Sequence, residues 1–166
     1  RIAGVGEIRE LVMKLPQNYE PHVKAGEVYQ EMLEAAGLSV RIQLVDWSSW
    51  LSEVYRGSQF DLTVIGHTGK LDPNGRLAPY ARGENYVQWQ DPEATRLIEE
   101  GRRTLDREQR RELYARVLEI MAREVPFVFV GSPYRYVGLR EEVESFKMDP
   151  QLDTYDFRET RIREGE

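Results

Sequence analysis

The stretch Val45–Pro73, VDWSSWLSEVYRGSQFDLTVIGHTGKLDP, decides the fold. Its first residues end a strand. Ser48–Arg56 then reads as a short amphipathic helix, capped by Asp46 or Ser48 and stopped by Gly57. Phe60–Ile65 is a nearly continuous apolar run of the kind found inside a sheet. In an open α/β sheet, ligands sit just beyond the carboxyl ends of the strands. Phe60–Gly66 delivers His67, Thr68, Gly69 and Lys70 to that position, with Asp72 close behind.

Upstream, Glu7–Leu15 reads as a strand that Pro16 ends. His22–Ala36 places Ala25, Val28, Tyr29, Met32, Leu33 and Ala36 at helical spacing, and Gly37 sits where a C-terminal glycine belongs. Leu38–Val45 alternates Leu38, Val40, Ile42 and Leu44 against Ser39, Arg41 and Gln43, a half-buried strand. Downstream, Gly66–Asp91 reads as a long irregular loop with D-P-N-G, Pro79 and Gly83 as turn signals; loops of that length are usually functional or mobile.

Glu93–Leu105 and Glu108–Glu124 read as two helices, Asp106 capping the second. Pro126–Val130 and Tyr134–Leu139 look like strands separated by Gly131, Ser132 and Pro133, and Glu141–Glu166 is polar with little periodicity. This order predicts an α/β class with a mixed sheet flanked by helices. No internal repeat is present.

With 166 residues, 40% hydrophobic and 10% aromatic, the chain is long enough for a packed core. A formal charge of -6 gives no general attraction for nucleic acid or anionic lipid. No apolar run reaches the ~20 residues that span a bilayer. The chain has no cysteine, which removes disulfides, thiolate nucleophiles and cysteine-based zinc sites together. It begins at Arg1 without a methionine or a leader-like segment, so the expectation is a removed leader or a piece of something longer.

Two readings stand for His67, Lys70 and Asp72. A histidine, an ammonium and small-residue backbone at a strand end can hold a polar or anionic ligand group. Alternatively, D-P-N-G is a solvated turn. Trp47, Trp50 and Tyr55 serve either as core anchors or as the lining of a cleft. Asn85, Tyr86 and Trp89 end the long loop and are candidates for the same lining. His22 reads as a cap or decoration of a helix start. No metal-ligand spacing, G-x-S-x-G elbow or complete phosphate loop occurs, Gly4-Val5-Gly6 being too short, so neither metal nor cofactor is expected.

These residues resemble the extracellular solute-binding proteins of family 5, the peptide/nickel/opine class of ABC-importer receptors. There a strand ends in V-D-W, a helix carries W-L and a Y-x-G stop, and a D-L strand runs into W-x-G-D. NYVQWQDPEATRLIEEGR, LDREQRRELYARVLEIMAREVPFVFV and DTYDFRET match later family segments in the same order. The resemblance implies a periplasmic-binding-protein-like (type II) lobe, non-catalytic, within a bilobed receptor roughly three times this length. Residues 1–138 would form the second (C-terminal) ligand-binding lobe. Residues 139–166 would be a tail that returns to the missing first lobe.

The implied partners are a small polar solute (peptide, sugar or anionic compound), the missing N-terminal lobe and an ABC permease in the membrane. The implied location is extracytoplasmic, with membrane anchoring through a missing N-terminal segment. Peptide-binding members pair an aspartate of W-x-x-D with the ligand's α-ammonium, whereas here His67 and Lys70 stand at the corresponding positions. That charge reversal disfavours a free peptide N-terminus. Asp72 is the carboxylate that a shifted loop would bring in its place. The competing functions are a hydrolytic or metal-assisted enzyme using His67, Asp72 and Lys70, and a dimerising interaction module.

Overall fold

Leu11–Pro16 (β1) and Val40–Val45 (β2) pair in parallel, Leu11 opposite Val40 and Pro16 opposite Val45. Parallel neighbours need a crossover, and Glu20–Ala35 (α1) supplies it. The structure is a computed structural model that describes residues 9–68, 70–84, 86–132, 134, 136–148 and 155–163. They fall into two units, Arg1–His67 with Gly83–Gln88, and Thr68–Arg82 with Trp89–Glu166.

In the first unit, alternate residues of the two strands face opposite sides. Leu11, Met13 and Leu15 with Val40 and Ile42 pack under Val23, Tyr29 and Leu33 of α1. The approach is closest at Gly26, where a Cβ would overlap Leu15 Cδ1 and lie 3.2 Å from Met13 Sδ. Leu44 continues the same stripe yet stays exposed, while Val45 is buried on the other face with Trp50 and Val54. The alternation thus reads correctly only while one helix covers the strand. At its carboxyl end the cover switches sides.

That second cover is a helical turn, Trp47–Ser49 (α2), that widens into a π-helical segment, Trp50–Arg56. Asp46 caps it, accepting from Ser49 N at 3.0 Å and from the hydroxyls of Ser48 and Ser49. These donors favour the ionised form and hold the Asp46 carboxyl well below its usual range. A lowered folded value means the cap's contribution is complete above the unfolded value, about 4, and is lost as pH falls through the folded one. Asparagine caps about as well as aspartate without titrating. The stability of the wild-type chain relative to Asp46→Asn is therefore expected to fall between pH 7 and pH 3 in denaturant titrations. A gap of equal size at both pH values would contradict this account.

The segment 60–65 runs parallel to β1 on the side away from β2. Leu62 bridges Met13, Leu62 N donates to Val12 O at 3.1 Å, and Lys14 N donates to Leu62 O at 3.0 Å. It is the expected third strand, although its ladder pairing is confined to that one bridge.

The second unit departs from expectation inside the long loop. Pro73–Ala81 is a helix (α3): Asp72 is its N-cap, accepting from Asn74 N at 2.8 Å, and Pro73 opens the first turn. Pro92–Arg103 (α4) and Arg107–Glu124 (α5) are capped by Asp91 and Asp106. Leu77, Tyr80 and Ala81 of α3, Leu97 and Ile98 of α4, and Tyr114, Val117 and Met121 of α5 are among the buried positions. Gly101 lets α4 meet α5, since a Cβ there would sit 3.0 Å from Tyr114 Cζ.

The expected strands at 126–130 and 134–139 do not form among the described residues. Val128, Phe129 and Val130 are mostly exposed, and apolar content alone cannot make a strand without a neighbour to pair with. The tail, read as aperiodic, instead holds two short antiparallel pairs. Val143–Glu144 (β3) pairs with Arg161–Ile162 (β6), and Lys147–Met148 (β4) pairs with Tyr155–Asp156 (β5). The parallel and antiparallel pairings lie in separate small sheets.

Candidate functional site

In the first unit, the carboxyl ends of β1, β2 and segment 60–65 deliver aromatic and imidazole side chains. β1 leads to Tyr19 and His22 at the start of α1, β2 leads to Trp47 and Trp50, and 60–65 leads to Gly66 and His67. Trp47 and Trp50 stack with ring centroids 5.2 Å apart and planes 3° from parallel, and Tyr19 tilts against Trp47 at 5.1 Å. Trp50 is buried, and its Nε1–H donates to Thr63 Oγ1 at 3.1 Å. Thr63 in turn donates to Lys14 O at 2.7 Å. Trp50 is thus a core anchor, and half-buried Trp47 packs against the same cluster.

Tyr86 is the hub of this cluster. It is 8% exposed and lies within 6.0 Å, centroid to centroid, of Trp50, Tyr55, Phe60 and His67. Its hydroxyl meets His67 Nε2 at 2.7 Å, which fixes an otherwise exposed imidazole. Ser58 Oγ donates to Tyr86 O at 3.4 Å, tying residues 83–88 to the unit.

His22 was not legible as part of this cluster. Its Nε2 lies 2.8 Å from where a Cβ of Gly66 would be, so only glycine admits it, and burial pushes its pKa down. The signal that would have found Tyr19 and His22 is positional, because they follow β1 as Trp47 follows β2.

Thr68, Lys70, Asp72 and Trp89 lie in the second unit. Thr68 and Lys70 are exposed, and Trp89 is half-buried. The Lys70 stem rests over the first turn of α3, Cβ and Cγ 3.6 and 3.7 Å from where a Cβ of Gly75 would be. Among the described residues Lys70 forms no ion pair. Asp72 forms one: Arg110 Nη2 reaches its two oxygens at 2.9 and 2.6 Å. Gly69 and Asn85 lie outside the described residues.

The first-unit cluster can stack on planar or apolar groups and offer hydrogen bonds from imidazole and phenol. Thr63 Oγ1 is committed to Lys14 O and to Trp50 Nε1, and Ser58 Oγ to Tyr86 O. Among the described residues, no three His, Asp or Glu side chains come together as metal ligands.

No family model matches the chain. The oligopeptide-binding protein AppA of Bacillus subtilis is 25% identical over 90% of this chain and 28% of its own length. The dipeptide-binding protein of Escherichia coli is 25% identical over 83% of this chain and 27% of its own. The solved structure of Bacillus subtilis AppA in complex with a nonapeptide superposes on 99% of this chain and 35% of its own, with a TM-score of 0.81 at 22% identity. The neighbours of this chain include oligopeptide- and dipeptide-binding proteins. The fold is α/β, of the periplasmic-binding-protein type. The chain spans about a third or less of the length of each of these proteins. Each of them is named as a binding protein.

Proposed function

We propose that this chain is the C-terminal lobe of an extracytoplasmic solute-binding receptor that delivers an oligopeptide or another small polar solute to an ABC importer, without chemistry. The observation that carries this reading is the likeness to peptide-binding receptors over nearly the whole chain. Ring-bearing side chains gathered at the carboxyl ends of three parallel segments agree with it. In this reading residues 1–138 are the lobe and 139–166 are the tail that joins a first lobe. The remaining partners are that lobe and the membrane permease, and the receptor works anchored outside the cytoplasm.

Two lobes closing on a ligand shift population toward the closed state by the ligand's differential affinity for it. One lobe alone offers about half the contacts of a buried ligand. Each 1.4 kcal/mol lost is about tenfold in affinity, so an isolated lobe binds poorly.

The test is a calorimetric and thermal-shift screen with the N-terminal lobe on the same chain. The panel holds di- to pentapeptides, their N-acetylated forms, oligosaccharides, and carboxylate and phosphate compounds. Saturable binding of one class, with no turnover, is the expected result. Hydrolysis of a panel member that disappears in His67→Ala would replace this reading with an enzyme.

A further inference from the structure

Arg110 sits at the centre of a knot that the family likeness does not explain. One Nη2 reaches both oxygens of Asp72, and Nε donates to Gly101 O at 3.0 Å. The guanidinium carbon lies 5.1 Å from the Tyr114 ring centroid, and Nη2 also reaches the Tyr114 hydroxyl at 3.4 Å. The same ring closes over Gly101. One side chain therefore joins the N-cap of α3 to the end of α4 and the first half of α5. Such planar, multiply bonded geometry suits arginine and cannot be copied by lysine, whose ammonium is a point donor.

The partner it holds is chemically singular. In His67-Thr68-Gly69-Lys70-Leu71-Asp72, the stretch that follows the third parallel segment, Asp72 is the one carboxylate and Lys70 the one ammonium. Asp72 is half-exposed, so burial alone would not withhold it from a ligand. Its carboxylate is satisfied on one side by Asn74 N and on the other by Arg110.

We propose that Arg110 is a positioning residue that sets ligand preference: by binding Asp72 into the α3 cap, it keeps the loop's only carboxylate from ligand ammonium groups. The loop then offers Lys70 as its uncommitted charge, and selects ligands that are neutral or anionic at that end. The inference rests on the receptor reading above.

The test uses the full-length gene product, with trialanine and N-acetyl-trialanine as probes in calorimetry. Arg110→Met frees Asp72 and is expected to raise the ratio of free-amine to acetylated affinity about tenfold over wild type. Asp72→Asn added to Arg110→Met should return the ratio to the wild-type value. Arg110→Lys, which retains the charge, should give an intermediate ratio and serves if the methionine variant does not fold. A role confined to stability would lower both affinities together, and an unchanged ratio would overturn the proposal.

A second readout needs no ligand. The Asp72 carboxyl carbon, followed by NMR on acidification, should titrate at higher pH in Arg110→Met than in wild type. If it does not, the lock itself is wrong. If it does, and neither probe binds any variant, the lock stands and the proposed ligand preference falls, while the receptor reading is decided separately by the wider panel above.

Discussion

Replacing Trp50 by alanine is expected to lower unfolding free energy by about 3–5 kcal/mol, the usual cost of removing a buried tryptophan side chain. Trp50 is 1% exposed, the largest of the fully buried side chains among the described residues. It packs with Val45 and Val54, stacks on Trp47, and meets Tyr86 edge-on at 5.9 Å. Its indole N–H also occupies Thr63 Oγ1, so the variant loses a hydrogen bond as well as volume. Domains of this size are stable by about 5–15 kcal/mol in total, so a loss of this size is a large part of the whole.

Trp50→Phe separates the two contributions. It keeps an aromatic ring in the stack and gives up the N–H, and should cost less than half as much. Urea unfolding followed by circular dichroism measures both. A loss under about 1 kcal/mol for the alanine variant would mean that the cover over this sheet face is organised around other residues.

The parts of the fold legible in the sequence are those in which a local signal and tertiary packing agree. The stripes of α1 and α5 are long, and Asp106 and Gly37 mark ends where the structure has them, Gly37 at φ +87°. Helix α3 was hidden because D-P-N-G serves equally as a β-turn and as N-cap, first residue and first turn of a helix. With Asn74, Gly75 and Pro79 inside it, this helix has little intrinsic propensity, and burial of Leu77, Tyr80 and Ala81 holds it in place.

Segment 126–130 failed in the opposite sense. Its β-branched and aromatic residues favour a strand, yet among the described residues no neighbour pairs with it. In the candidate site, His67 was legible from position alone. The role of Tyr86 as its hydrogen-bond partner was not, because 19 residues separate the two in sequence. The commitment of Asp72 to Arg110, 38 residues away, was hidden for the same reason.

Lys70→Asp is expected to change ligand preference by the largest factor of any single substitution on the proposed binding loop. The lysine is exposed, its stem lies over the first turn of α3, and among the described residues no carboxylate neutralises it. Aspartate would reverse the loop's uncommitted charge in one step. In the two-lobed receptor, affinity for carboxylate or phosphate ligands should fall tenfold or more, and free-amine peptides should gain over their N-acetylated forms. Because the charge is solvated, the effect must shrink as salt rises toward 1 M, where the screening length is about 3 Å. A change in preference that ignores salt would mean that the substitution acts by reshaping the start of α3 and not through charge. No change at all would remove Lys70 from the site and leave the aromatic cluster around Tyr86 and His67 to account for recognition.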